Sequence, residues 1–415
     1  MWVSWVGCLF LPIGSSYLLL SLAMPSNKAF LSVMGSWPYV FNVEHRHLWF
    51  FRWVMGTLNL SESVFRVLRW IGWYLVVFIP ACALTLICRW KKINPRKSAL
   101  ILFFLVMVLL LYFWLKKDMV QWLHFPQPWQ VFTCSMMVVF SAQILIGRPN
   151  TLDLPASSLK LMMATFSFVL LGKIILNVRV WHYGFALAMP ATLMVVIALW
   201  RWIPEWLAAY GGKPILFRAV VLAFWLMAMV AHIKMSGELF NQKQYMIGYG
   251  NDLFRSEHRG HTFFEAVQFL KKNMKHGETL AALPEGVMMN YLLRVHSPTP
   301  FIYHTPPVMI LFGEEKMLSS LKKSPPDWIA LVHRDDSAYG ARFFGNDYGT
   351  SIWRWIAEHY VFNTCIGALP FQNENFGILV GKLRMHKTRF HENKHSEDTI
   401  YRKSSKHLSG KTILK

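Results

Sequence analysis

The feature that most constrains this chain is a series of unbroken apolar runs. Each is close to the ~20 residues a helix needs to cross the hydrocarbon layer of a bilayer, roughly 30 Å thick. Seven stand out: Trp2–Ala23, Leu68–Cys88, Ser98–Leu115, Gln130–Ile146, Leu161–Leu176, Phe185–Trp202 and Phe217–Ile233. A soluble protein lays its apolar residues along stripes at helical or strand spacing. Here 54% of the 415 residues are hydrophobic, and they come in blocks. The sequence therefore predicts a polytopic α-helical membrane protein with about seven spans. The first run has no basic residue before it and no small-x-small site after it, so it reads as a retained helix and not as a signal peptide.

The formal net charge of +21 suggests nucleic acid at first sight. The placement argues against it: Lys and Arg gather at the edges of the apolar runs and in the tail 385–415, and no nucleic-acid-binding motif is present. Edge anchoring and a basic, disordered tail account for the charge, with contact to anionic membrane lipid as the further reading. Four of the five cysteines (Cys8, Cys82, Cys88 and Cys134) fall in apolar runs. The lone aqueous Cys365 supports neither a disulfide framework nor a zinc site. No cofactor is implied; a divalent metal stays open.

Loop charge sets the expected topology. The cluster Arg89, Lys91, Lys92, Arg96 and Lys97 marks the loop after the second run as cytoplasmic. The amino terminus then lies inside, and everything after Ile233 lies outside. The expected layout is a transmembrane region over residues 1–233, a soluble extracytoplasmic α/β domain over 234–384, and the tail. In the α/β part, ETLAAL, PPDWIALV, VFNTCIGAL and FGILVGKL read as strands; VMMNYLLR, EEKMLSSLKK and SIWRWIAEHY read as helices. The loop 25–66 carries seven aromatics within WPYVFNVEHRHLWFFRW, interleaved with Glu44, His45, Arg46, His47 and Arg52. That mixture suits an amphipathic helix in the headgroup layer.

One cluster of charge interrupts the oil. In KIILNVRVWHYGF, Lys173, Arg179 and His182 fall at the expected outer rim between the fifth and sixth runs. Lys supplies charge, Arg a bidentate fork and His a hydrogen-bonding ring, which together suit a phosphate. Lys173 and Asn177, four apart, would share one helical face. Tyr183, Arg46 and Arg52 are supporting candidates. The competing reading is snorkelling, in which a long basic stem lifts its charge into the headgroups. Gly184 and Pro190 point to a broken or bent backbone here. Elsewhere, Glu44–His45 reads as interfacial, and His258 with His261 lacks a third metal ligand. HRD at His333–Asp335 lacks every companion of a kinase loop. Asp335, Asp336, Asp347 and Glu285 read as turn and cap residues, and no catalytic residue is assigned.

KIILNVRVWHYGFALAMPATL, YGNDLFR, LPEGVMMNYLLR, PPDWIALVHRDD, AYGARFFGNDYG and GALPFQNENFGILV, taken in order, resemble the carboxy-terminal half of bacterial GT-C membrane glycosyltransferases. They are similar to the protein-mannosyltransferase and aminoarabinose-transferase group, glycosyltransferase family 39. The resemblance covers roughly Met1–Arg384, with HYGF and FGNDYG its more specific parts. It implies a sugar donor linked to polyprenyl phosphate, inverting transfer at the extracytoplasmic face of the cell inner membrane, and an acidic general base in an early external loop. It also implies further spans before Met1, including that loop. The chain then reads as the carboxy-terminal portion of such an enzyme, with the amino-terminal half as a partner. The alternative is a non-catalytic membrane protein whose external domain binds a partner or complements a split enzyme.

Overall fold

The computed structural model describes residues 2–35, 42–88, 94–115, 121–146 and 154–384. The basic tail and part of the aromatic loop, residues 36–41, lie outside the described residues. The first helix, α1 (Trp2–Ala23), leads into α2 (Ser26–Met34). Two short helices, α3 (Val43–His47) and α4 (Trp49–Met55), precede α5 (Leu60–Ile87) and α6 (Pro95–Leu115). Then follow α7 (Trp129–Leu145), α8 (Leu154–Leu171) and α9 (Gly184–Ile197). A π-helical stretch, Ala198–Trp202, runs α9 on into α10 (Ile203–Ala209), and α11 (Pro214–Asn241) closes the bundle. Among the described residues, six helical stretches are long and apolar enough to cross a membrane.

The pattern within α5 shows why it packs as it does. Its buried residues are Ser63, Val67, Trp70, Tyr74, Phe78, Ala81 and Thr85. They recur every three or four positions and so line a single stripe. Leu68, Leu75, Val76 and Ile79 on its other faces stay exposed, as do Leu100, Ile101, Phe104, Leu105 and Val108 on α6. An apolar surface this extensive is compatible with lipid and not with water. α11 is the most enclosed span, with 56% of its apolar window buried. Around it, Trp70, Tyr74, Phe78, Trp122, Phe125, Trp129, Phe217 and Phe224 form an aromatic core. Lipid provides no hydrophobic force between helices, so packing and interhelical hydrogen bonds hold such a bundle. The indole of Trp129 donates to the Tyr74 hydroxyl (3.1 Å), which donates to the Phe125 carbonyl (3.2 Å).

After α11 the chain builds an α/β unit. A hairpin of β1 (Tyr245–Ile247) and β2 (Phe254–Ser256) leads to α12 (Arg259–Asn273) and β3 (Leu280–Leu283). Three helices follow: α13 (Met288–Leu293), α14 (Pro306–Phe312) and α15 (Glu314–Lys323). They form the crossover to β4 (Trp328–Val332); α16 (Thr350–His359), β5 (Tyr360–Gly367) and β6 (Gly377–Leu383) complete the unit. The sheet order is β3-β4-β6-β5, with β3 parallel to β4 and the other pairs antiparallel. Alternation along β3 and β4 sends residues to opposite faces. Leu280, Ala282, Trp328 and Ala330 pack on Ala266, Val267 and Leu270 of α12. Leu283, Ile329 and Leu331 pack on Met317, Leu321, Ile352 and Ile356. Cover on both faces explains why these two strands read as continuous apolar runs.

The α/β unit touches the bundle through α4. Tyr339, in a 3-10 turn after β4, sits against Phe50 (ring centroids 5.3 Å apart) and Phe51 (6.3 Å). Phe50 also meets Tyr183 edge-on. The aromatic loop that the sequence assigns to the headgroup layer therefore spends part of its rings on protein contacts.

Candidate functional site

The segment between α8 and α9 is not helix. α8 ends at Leu171, Gly172–Ile174 makes one 3-10 turn, and the chain then runs irregularly to Gly184. Its course is set by α4. The Leu176 N–H donates to the Met55 carbonyl (3.0 Å), and the Asn177 side-chain amide donates to the Trp53 carbonyl (3.0 Å). Asn177 Oδ1 accepts from Gln127 Nε2 (3.2 Å), and Gln127 is fully buried. This strapping corrects one expectation from the sequence. Lys173 and Asn177 do not share a helical face: Lys173 is exposed, whereas Asn177 is 6% exposed and inside the strap.

Two glycines make the close approach possible. Gly56 has φ +76°, and a Cβ there would lie 2.6 Å from the Leu176 carbonyl carbon. At Gly184 a Cβ would lie 2.1 Å from the Arg179 carbonyl oxygen and 2.6 Å from Arg179 Cγ. The glycine of HYGF is therefore what lets the Arg179 backbone and stem lie against the start of α9.

Arg179 is the centre of the arrangement. It is 1% exposed, and Nε, Nη1 and Nη2 have no hydrogen-bond partner among the described residues. Its guanidinium carbon lies 4.4 Å from the Trp53 ring centroid and 4.9 Å from that of Trp181. The Trp181 indole N–H and Gln127 Oε1 are likewise buried without a partner. Burial lowers the Arg179 pKa from its ordinary value, yet an arginine keeps its proton in proteins. The charge therefore remains and its desolvation must be offset. That penalty is several kcal/mol, while a desolvated cation–π contact returns about 2 kcal/mol. Two aromatic rings reduce the deficit without supplying acceptors for the five N–H groups.

Sequence reasoning placed three cations here, and the structure treats them differently. Arg179 and Asn177 come together with Trp53, Trp181 and Gln127. Lys173 is exposed on the 3-10 turn, and His182 and Tyr183 are exposed beside Arg179, their rings 4.2 Å apart. Burial and the nearby Arg179 charge lower the His182 pKa. Arg52 donates to the Thr57 carbonyl (3.5 Å) just beyond its own helix, and Arg46 is exposed on α3. The sequence reading missed Gln127, Trp53, Trp181, and also His124, whose Nδ1 lies 3.5 Å from Gln127 Nε2. HFPQPW, two polar residues among prolines and aromatics between apolar runs, was the available signal.

Across the seam, Arg334 pairs with Glu285 and with Asp336 (2.5 Å), and the Tyr348 hydroxyl donates to Asp336. Asp336 stands at the N-cap of the Ser337–Tyr339 turn, its carbonyl accepting from the Tyr339 N–H (2.7 Å), so the turn reading holds, and its fully buried side chain is in addition the core of a charge network. For Asp347 that reading holds: it accepts from the Arg342 and Phe343 N–H groups, both at 2.8 Å. Asp335 accepts from Ser337 N–H (2.9 Å) and also pairs with Arg342. Among the described residues no group of three His, Cys, Asp or Glu side chains is placed to hold a metal. A groove of about 510 Å³ opens between α7 and α8, lined by Gln130, Val131, Cys134, Val138 and Phe168. It starts one helical turn beyond Gln127.

These features define a multi-pass helical membrane protein with a carboxy-terminal sheet region and a buried cationic centre against α4, the helix whose Phe50 meets Tyr339 of the α/β unit. No protein-family model, curated protein or solved structure matches the chain.

Proposed function

We propose that this chain binds the anionic headgroup of a polyprenyl-phosphate-linked sugar at Arg179 and is the carboxy-terminal portion of a membrane glycosyltransferase that uses such a donor. In this reading the face bearing the α/β unit is the extracytoplasmic face of the inner membrane. The observation that carries it is the buried guanidinium without acceptors. A phosphate oxygen pair fits a planar arginine fork in two parallel hydrogen bonds, and in a dry site those bonds are stronger than in water. The groove between α7 and α8, beginning one turn from Gln127, gives an apolar tail a path along the bundle. His182 and Lys173, exposed at the rim, are left to the sugar or to the lipid surface.

A non-catalytic lipid-phosphate-binding protein is the second reading, and one observation favours it. On the α/β side of the seam, Glu285 and Asp336 are both engaged by Arg334, so neither is a free base.

The test uses the purified chain in detergent, with polyprenyl phosphate and the matching polyprenol as probes and native mass spectrometry as readout. Binding of the phosphate but not the alcohol, lost in Arg179→Gln, is expected. Equal binding of both lipids, or binding unchanged in the variant, overturns the assignment. Release of sugar from a polyprenyl-phosphate donor by the chain alone would exclude the second reading.

A further inference from the structure

α11 is longer than a hydrocarbon core requires. Its 28 residues span about 42 Å at 1.5 Å per residue, the thickness of a bilayer together with its headgroups, about 40–45 Å. Centred on a bilayer, a helix of this length carries its last turn into the headgroup layer, on the side of the α/β unit. There Leu239 and Phe240, 52% and 55% exposed, stand beside the exposed Glu238 and Asn241.

Only a few residues later the β1–β2 hairpin begins, and its register fixes which side chains go together. Tyr245 pairs with Ser256, Met246 with Arg255, and Ile247 with Phe254. Directly opposed residues in an antiparallel pair share a face. Ile247 is buried, beneath Gly260 at the start of α12, and so anchors one face of the hairpin to the α/β unit. Met246 and Arg255 occupy the other face. Met246 is 54% exposed, Leu253 at the hairpin end 52%, and Phe254 37%. Arg255 lies over the Phe240 ring, its guanidinium carbon 5.4 Å from the centroid. That contact draws the hairpin against the last turn of α11, so the hairpin sits at the height of that turn.

We infer that this hairpin, with the last turn of α11, is seated in the headgroup layer and anchors the α/β unit to the bilayer surface. The occupant of the apolar patch Leu239, Phe240, Met246 and Leu253 is phospholipid; Phe254 shares the anchored face of Ile247. Two observations select lipid over a protein. The patch lies about two turns beyond the exposed Ile233 at the end of a spanning helix, past Lys234, Ser236 and Glu238, and Lys243 and Arg255 set cations among its apolar side chains. Amphipathic elements that lie in the interface have this composition, with the cations facing lipid phosphates. The hairpin thus fixes how high the α/β unit stands above the rim that holds Arg179. The inference does not depend on what Arg179 binds.

The experiment places a nitroxide at Met246→Cys or Leu253→Cys in the full chain, with the native cysteines replaced by serine, reconstituted in nanodiscs. Glu315→Cys, exposed on α15, is the control. Power saturation compares collisions with oxygen, which concentrates in lipid, and with a nickel chelate, which stays in water. Labels at 246 and 253 are expected to show a several-fold loss of chelate collisions relative to 315, greater in discs containing phosphatidylglycerol than in phosphatidylcholine alone. Lys243→Glu with Arg255→Glu should abolish that lipid dependence. Chelate access at 246 and 253 equal to that at 315 overturns the inference. So does shielding accompanied by dipolar broadening between labels, which would show a second copy of the chain covering the patch.

Discussion

The guanidinium of Arg179 lies 4.4 Å from the ring centroid of Trp53, and the carbonyl of that same Trp53 receives the Asn177 amide. One residue of α4 thus fixes the backbone of the rim segment and covers its buried charge. Backbone position and electrostatics at the site cannot be changed independently.

Replacing Arg179 separates stability from binding. Arg179→Met removes a buried charge and leaves an apolar side chain of similar reach, a change that is often neutral or stabilising by about 1–4 kcal/mol. The melting temperature in detergent should hold or rise. Affinity for polyprenyl phosphate should fall about 10- to 100-fold, equivalent to a lost charge-assisted hydrogen bond of about 1.5–3 kcal/mol. A variant both less stable and unimpaired in binding would remove Arg179 from the site.

Gly184 should tolerate no side chain. The Cβ of Gly184→Ala would lie 2.1 Å from the Arg179 carbonyl oxygen, which is backbone and cannot swing away. The expected cost is about 1–3 kcal/mol, read as a lower melting temperature, with weaker lipid-phosphate binding as Arg179 moves. Gly172→Ala, at a position with open space around it, is the internal control and should change neither.

The α/β unit should weaken in mild acid through His304. This residue is 1% exposed, both ring nitrogens lack partners among the described residues, and burial pushes its pKa from 6.5 down to about 4. Between those two values the unfolded chain binds the proton and the folded one does not. Stability is therefore complete above about pH 6.5 and falls as the pH drops towards 4, by about 3 kcal/mol in all. Denaturation followed at pH 7, 5.5 and 4.5 should show a slope that His304→Phe flattens. An unchanged slope in the variant would assign the acid sensitivity to other groups.

Arg334 should be indispensable to the seam. Arg334→Met leaves the fully buried Asp336 carboxylate and Glu285 without their cation. With Arg334 and Glu285 partly exposed to solvent and Tyr348 still donating to Asp336, the cost falls below the roughly 3–5 kcal/mol of breaking a fully buried pair. Hydrogen exchange across residues 333–348 should rise, with Tyr339 released from Phe50. Exchange matching the parent chain would show that the aromatic contacts alone hold the seam.

Much of the layout could be read from the residues. Runs of apolar side chains long enough for a bilayer fix the spanning helices whatever their neighbours, because lipid demands internally paired backbone. Strands such as PPDWIALV and helices such as SIWRWIAEHY announce themselves through local periodicity and turn chemistry. The hairpin at Tyr245 and α12 were not read as elements, since short exposed strands and a mixed helix carry weak patterns. Within KIILNVRVWHYGF the sequence showed cations at a rim but could not rank them. Long-range hydrogen bonds to the Trp53 and Met55 carbonyls and from the Gln127 amide decided that Arg179 would be enclosed and Lys173 exposed. A side chain's charge is written in the sequence; its desolvation depends on segments 50 to 124 residues away, and only the tertiary structure brings those together.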